Sequence, residues 1–294
     1  MTQIIVLPRN DSDELARENQ HNLLIDRPTA RELAREALAI IETGDYYTSN
    51  QSVSVADAIA RSVAETVSLP PDAALPHPFP AAPAEMLTVS VANETSLSAA
   101  KRITDAGSRP LVLNFANAVE PGGGFLSGST AQEEYLCRSS ALYATIKHSP
   151  MYAHHRAMGA DSFLATEWAI LSPGVPVFRG DDGYLLTEPW QYDTLTCAAP
   201  VARAVGLERA TPAMHTRIDR VLAIARAYGY RSLVLGAWGC GAFHNDPVAI
   251  AGFFRDALTG KYLGAFDEAV FAITDWLPER KYLSPFARAF AEIG

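Results

Sequence analysis

Two adjacent carboxylates, Glu133 and Glu134, stand in the stretch PGGGFLSGSTAQEEYLCRSSALY, residues 121 to 143, where seven residues separate three consecutive glycines from Gln132. Neighbouring residues on a helix diverge by about 100°. Two glutamates opening a helix can therefore do different jobs, one lying against the floor of a pocket while the other faces a reacting bond. A solvated helix start, favoured by the helix dipole, would also carry such a pair. The glycines beside it favour a site, because a backbone without Cβ can approach a ligand closely or adopt φ > 0. The preceding LNFANAVEPGGG leaves an apolar strand, and in α/β sheets ligands collect outside the carboxyl ends of strands. The candidates here are Asn117, Gly122, Gly123, Gly124, Gln132, Glu133 and Glu134.

A second glycine-bearing stretch, LVLGAWGCGAFHNDP (233–247), also follows a buried strand. Successive backbone N–H groups in such a loop form a nest suited to a diphosphate. Asn245 or Asp246 is expected to cap the next helix, with Pro247 in its first turn. The candidates are Gly239, Cys240, Gly241, Ala242 and Phe243, with Phe243 aimed into the cleft and Cys240 read as a small buried residue. The stretch is neither a P-loop nor a GxGxxG fingerprint. Two glycine loops after two strands suggest opposite walls of one cleft.

Other chemistries find no support. There is no GxSxG elbow and no HExxH. His154 and His155 are adjacent and cannot ligate like an i,i+4 pair, so they are read as surface or packing residues. Three cysteines, Cys137, Cys197 and Cys240, are odd in number and lack CxxC spacing, against a disulfide framework or zinc site. The 294 residues carry a net charge of −9. Affinity for DNA or RNA comes largely from neutralising phosphates, so direct nucleic-acid binding is not expected. No apolar run reaches the roughly 18 residues of a membrane span, and the polar N-terminus shows no export signal. A reducing, cytoplasmic setting and a monomer are expected.

Elements must bring these loops together. Residues 1 to 28 read as a loose polar leader. Residues 29 to 43 read as a helix with Thr29 and Glu32 as a capping box and Gly44 at its C-terminus. A second helix covers about 55 to 67. The prolines at 70, 71, 76, 78, 80 and 83 make the next stretch an extended connector. From residue 86 onward, strands (86–93, 109–117, 231–238, 268–276) alternate with helices (94–107, 211–230, 246–258), and 166–186 reads as paired strands joined at Asp182-Gly183. This is an α/β layer architecture, with residues 1–85 as a helical N-terminal extension and connector and 86–294 as the main domain.

GGGFLSGSTAQEE resembles the signature of the poly(ADP-ribose) glycohydrolases, and the FAN before it and LGAWGCGAFHNDP after it resemble the bacterial-type branch. The resemblance spans roughly residues 86 to 294, and the helical stretch around 29 to 67 resembles that branch's N-terminal extension. It implies a macrodomain-like three-layer α/β/α fold with a central mixed sheet. It implies that Glu134 protonates the oxygen leaving a ribose–ribose bond and then activates water, while Glu133 and Asn117 hold ribose hydroxyls. Gly122 to Gly124 and the Gly239–Phe243 loop would cradle the diphosphate, Phe243 would press the ribose toward Glu134, and Glu94 and Thr95 would border the adenine. No metal or cofactor is implied. The implied partners are poly(ADP-ribose) and ADP-ribose, with ADP-ribosylated proteins as substrate carriers.

The chemistry is consistent with this. A general acid must begin protonated near neutral pH, which asks for a dry site, a neighbouring carboxylate or a substrate phosphate. The diphosphate helps stabilise a positive ribosyl centre. A chain end read by backbone N–H groups needs no basic groove, so a shallow salt dependence is expected. Three functions stay open at this point: cleavage of poly(ADP-ribose) mainly from chain ends, non-catalytic binding of ADP-ribose, and removal of single ADP-ribose units from proteins.

Overall fold

The computed structural model describes residues 2–77 and 83–293; prolines 78 and 80 of the expected connector lie outside the described residues. Up to residue 69 the chain forms β1 (Gln3–Val6), α1 (Asp13–Leu23), α2 (Arg27–Thr43), β2 (Asp45–Tyr47), β3 (Ser52–Ser54), α3 (Ala56–Glu65) and β4 (Val67–Leu69). It continues with β5 (Met86–Ala92), α4 (Ser96–Asp105), β6 (Pro110–Ala116), α5 (Gln132–Ser139), α6 (Leu142–Ile146) and α7 (Pro150–Ala157). Then come β7 (Ala169–Arg179), β8 (Leu185–Ala198), α8 (Ala202–Val205), α9 (Leu207–Ala227), β9 (Ser232–Leu235), α10 (Pro247–Thr259), β10 (Glu268–Ala272) and α11 (Leu283–Ala291).

Eight strands build one mixed sheet in the order β1-β5-β10-β9-β6-β8-β7-β4. Pairing is parallel from β1 across to β8, and antiparallel where β7 meets β8 and β4 meets β7. Strand side chains alternate between faces, and the core divides accordingly. Leu111, Leu113, Leu233 and Leu235 pack with Ile218, Leu222 and Phe254 of α9 and α10. Val112, Val234 and Val270 pack on the other face with Leu97, Leu136 and Tyr152 of α4, α5 and α7. The result is the expected mixed α/β architecture, a sheet between two helical layers.

The N-terminus departs from the expected loose leader. QIIV adds as an edge strand in parallel to β5, with Gln3 opposite Met86, and Ser12 caps α1 by accepting from the Leu15 N–H at 3.1 Å. The order comes from distant partners. Asn19 Nδ2 donates to the Asn93 carbonyl and to its Oδ1, and Asp11 takes an ion pair from the Arg280 guanidinium at 3.0 Å. Thus the first 69 residues are not solely helical, since β1 and β4 join the main sheet.

Caps also differ. The first turn of α2 is closed by Asp26, whose Oδ1 accepts from the Thr29 N–H at 2.8 Å, with Pro28 in that turn. An acceptor with extended backbone before the helix satisfies an otherwise unpartnered N–H, which displaces the expected Thr29 box. Gly44 ends the helix at φ +77° as expected. The helix expected from 211 begins at Leu207 and takes in Pro212 at its sixth position, where the ring removes the hydrogen bond to the Glu208 carbonyl.

Candidate active site

β6 and β9 are neighbours in the sheet, but they pair only from Pro110 to Val112 opposite Ser232 to Val234. Beyond Val112 the two strands separate, and both glycine loops leave from this separation. Leu113 C=O and Phe115 N–H would there lack ladder partners. The Gln132 amide supplies them, donating through Nε2 to the Leu113 carbonyl at 2.9 Å and accepting at Oε1 from the Phe115 N–H at 2.9 Å. Nε2 also reaches Ser96 Oγ at 3.1 Å. One side chain replaces a missing strand and fixes the N-terminus of α5 against the end of β6.

That anchoring places the two glutamates. Glu133 is 3 % exposed and Glu134 8 %, so neither is a solvated helix start. Glu133 Oε2 accepts from the Asn117 N–H at 2.7 Å, while among the described residues its buried Oε1 has no hydrogen-bond partner. Glu134 Oε1 accepts from the Gly124 N–H at 2.8 Å. Burial is the main cause that pushes the Glu133 carboxyl well above its usual range, and the neighbouring Glu134 adds to it; the Asn117 N–H opposes.

The glycine turn wraps these carboxylates. Gly122 and Gly123 hold φ of +71° and +59°. A Cβ on Gly123 would stand 2.5 Å from Glu134 Oε1 and 3.0 Å from Glu133 Oε2. The turn's own N–H groups are already engaged at two positions, Gly123 to the Glu120 carbonyl and Gly124 to Glu134. Asn117 Oδ1 accepts from the N–H groups of Val119 and Glu120, both at 2.9 Å.

The second loop is built differently. Asn245 ties it down, donating from Nδ2 to the carbonyls of Pro200 and Gly239, while Asp246 caps α10 through the Val248 N–H. Gly239, at φ +74°, packs against Asn245 and Ala199 so closely that a Cβ would clash with both. Among the described residues, the N–H groups of Gly241, Ala242 and Phe243 are taken by no other group of the chain. They are the free donors an anion nest requires. Cys240 is buried, its Sγ 3.7 Å from the Trp238 carbonyl.

A cavity of about 690 Å³ opens at this end of the sheet, within the size range of nucleotide sites. Of the residues expected from sequence, Glu94, Thr95, Gln132, Gly239, Gly241, Ala242 and Phe243 line it. Asn117, Gly122 to Gly124, Glu133 and Glu134 form a tight cluster joined to that wall through Gln132, and Cys240 belongs to the loop's interior. Glu94 is paired with Arg102 at 2.7 Å. Thr95 caps α4 through the Ser98 N–H and donates to Asp181 Oδ2 at 2.8 Å. Among the described residues no cluster of His, Cys, Asp and Glu suits a metal ion.

The model of the microbial-type PARG catalytic domain matches residues 34–180, half of the chain. The poly(ADP-ribose) glycohydrolase of Thermomonospora curvata superposes with a TM-score of 0.82 at 42 % identity, covering 90 % of this chain and 100 % of that one. The chain belongs to the microbial-type PARG family. Another solved PARG structure from T. curvata, with the inhibitor ADP-HPD bound, matches at 40 % identity and a TM-score of 0.81, over 89 % of this chain and 99 % of that one. The PARG of Deinococcus radiodurans in complex with ADP-ribose matches at 37 % and 0.72, over 80 % and 98 %. Comparison with curated protein sequences finds no match.

Several residues of this PARG-family cavity escape sequence reasoning. Asp181, at the tip between β7 and β8, lines the cavity and is held by Thr95, by Ser98 Oγ at 2.7 Å and by a short bond from the Tyr135 hydroxyl. Asn22, Leu23, Thr29 and Leu33 bring the N-terminal helices into the wall, Trp238 lines it from within the second glycine loop, and Asp275 from beyond the end of β10. Asp275 accepts from the N–H groups of Leu277, Tyr282 and Leu283. Tyr135, one residue from the glutamates, is the one member a closer reading of the motif could have found. His155 is buried, bonded to the Ala118 carbonyl and Thr166 Oγ1, in the packing role expected of it.

Proposed function

We propose that this protein hydrolyses the ribose–ribose O-glycosidic bonds of poly(ADP-ribose), mainly from chain ends, and releases ADP-ribose. The observation that carries this is the carboxyl of Glu134, held by the Gly124 N–H beside a nucleotide-sized cavity whose far loop offers free N–H groups. In this reading the diphosphate lies on Gly241 to Phe243, the adenine points toward Glu94 and Thr95, and Phe243 presses the terminal ribose toward α5. Glu133 and the Asn117 amide hold ribose hydroxyls. Glu134 donates its proton to the oxygen leaving the anomeric carbon. A ribosyl centre with oxocarbenium character results, stabilised by the diphosphate. The Glu134 carboxylate then takes a proton from the water that attacks that carbon, and the acid is restored. The polymer would be met on ADP-ribosylated proteins in the cytoplasm.

The test is Glu134→Gln. Release of ADP-ribose from the polymer should fall by at least about 10³-fold while affinity for ADP-ribose stays within about tenfold, because the amide keeps the shape and loses the proton. Undiminished release by the variant would overturn the assignment. A wild-type protein that binds ADP-ribose but leaves the polymer intact would be a reader instead, and one that acts only on singly modified protein would be a mono-ADP-ribosyl hydrolase.

A further inference from the structure

The acidic chain carries one exposed row of cations beside its site. Arg27, Arg31 and Arg35 are exposed and recur every four residues along α2, so they share one edge of the helix over about 12 Å. Among the described residues none of the three forms an ion pair; Asp26 acts on Arg31 only through space. Of the two glutamates beside the row, Glu36 is held by Arg179 at 2.7 Å, while Glu32 is exposed and forms no ion pair among the described residues. Like charges at i,i+4 destabilise a helix by a few tenths of a kcal/mol per pair, so the row is a cost that folding alone does not explain.

Its position supplies an explanation. α2 touches the site on two sides. Thr29 and Leu33 line the cavity, and the backbone of Arg27 lies so close to Gly128 that a Cβ there would stand 2.5 Å from the Arg27 carbonyl. Gly128 ends the same loop whose Gly124 N–H holds Glu134. If the cavity takes the terminal ADP-ribose, the group on the other side of the scissile bond must leave past Glu134, away from the cavity and over this loop. That group is the rest of a polymer with a diphosphate in every unit.

We propose that the Arg27–Arg31–Arg35 edge of α2 is a docking rail for the diphosphates of the polymer on the leaving side of the bond. This rests on the reading of the site given above. It assigns to the N-terminal helices a part in choosing a long polyanion over a single ADP-ribose unit.

The experiment measures binding of long poly(ADP-ribose) to Glu134→Gln protein against salt, with and without Arg31→Gln/Arg35→Gln. Removing two phosphate contacts should weaken binding about tenfold at low salt and flatten the log–log salt slope by ~1.4, while ADP-ribose affinity stays within about twofold. An Arg31→Lys/Arg35→Lys pair should restore the slope, since a salt slope reads charge and not helix packing. An unchanged slope in the glutamine pair, or equal losses for ADP-ribose and polymer, would overturn the rail. Failure of wild-type protein to shorten the polymer would instead strike the proposed activity, which the binding assay does not use.

Discussion

A side chain at Gly123 would crowd the carboxylates of Glu134 and Glu133, whereas one at Gly241 would meet no atom within 4 Å. Both glycines stand in turns at the carboxyl ends of neighbouring parallel strands, and from sequence both turns looked like cradles for a phosphate. In the first turn the absent Cβ makes room for the protein's own acids, and its N–H groups point inward to Glu120 and Glu134. In the second it leaves space and N–H groups open to a ligand. A glycine-rich loop therefore says only that something comes close to the backbone, and the partner is decided by which N–H groups are already taken.

The contrast can be broken most severely at Gly123. Gly123→Ala should lower turnover about 10² to 10³-fold, because the new methyl moves both carboxylates and the positive φ strains the turn. ADP-ribose affinity should change only severalfold. Equal losses of affinity and turnover, measured by calorimetry and polymer release, would mean that the first turn also holds phosphate.

Gly241→Ala sharpens the other half. No neighbour is displaced and φ is not in the left-handed region, so the thermal midpoint should not move measurably. A methyl in the space of the diphosphate should nonetheless weaken ADP-ribose binding about tenfold, ~1.4 kcal/mol. Unaltered affinity would remove this loop from the ligand's path.

The smallest effect concerns Glu133. Burial raises its pKa above the unfolded value of 4.5, so between 4.5 and that raised value the native state holds a proton that the unfolded chain has lost. Stability from this group is complete below 4.5 and declines as pH climbs through the window. Glu133→Gln has no such loss, so its denaturant midpoint should gain on wild type as pH is raised from acid toward neutral. A pH-independent difference between the two would show that the carboxyl is not desolvated as the first turn requires.

Much of the site was readable because it is local. The triple glycine, Gln132 and both glutamates lie within a span of thirteen residues, and the alternation of apolar and helical patterns from residue 86 gave the strands that carry the loops. What escaped depends on distant pairing. QIIV is too short to declare itself a strand until Met86 to Val89 lie beside it. Asp181 acquires meaning only when Thr95 and Tyr135, 86 and 46 residues away, close around it. Gln132 was recognised by type but not by task, since nothing in the motif says that β9 parts from β6 after Val112.

That amide leaves its mark on how the molecule should fail. Where the sheet parts, cohesion passes from main chain to a single flexible side chain, and the acids travel with it. Warming should loosen this seam first, so the enzyme is expected to fall silent at temperatures where its sheet, followed by circular dichroism, is still whole.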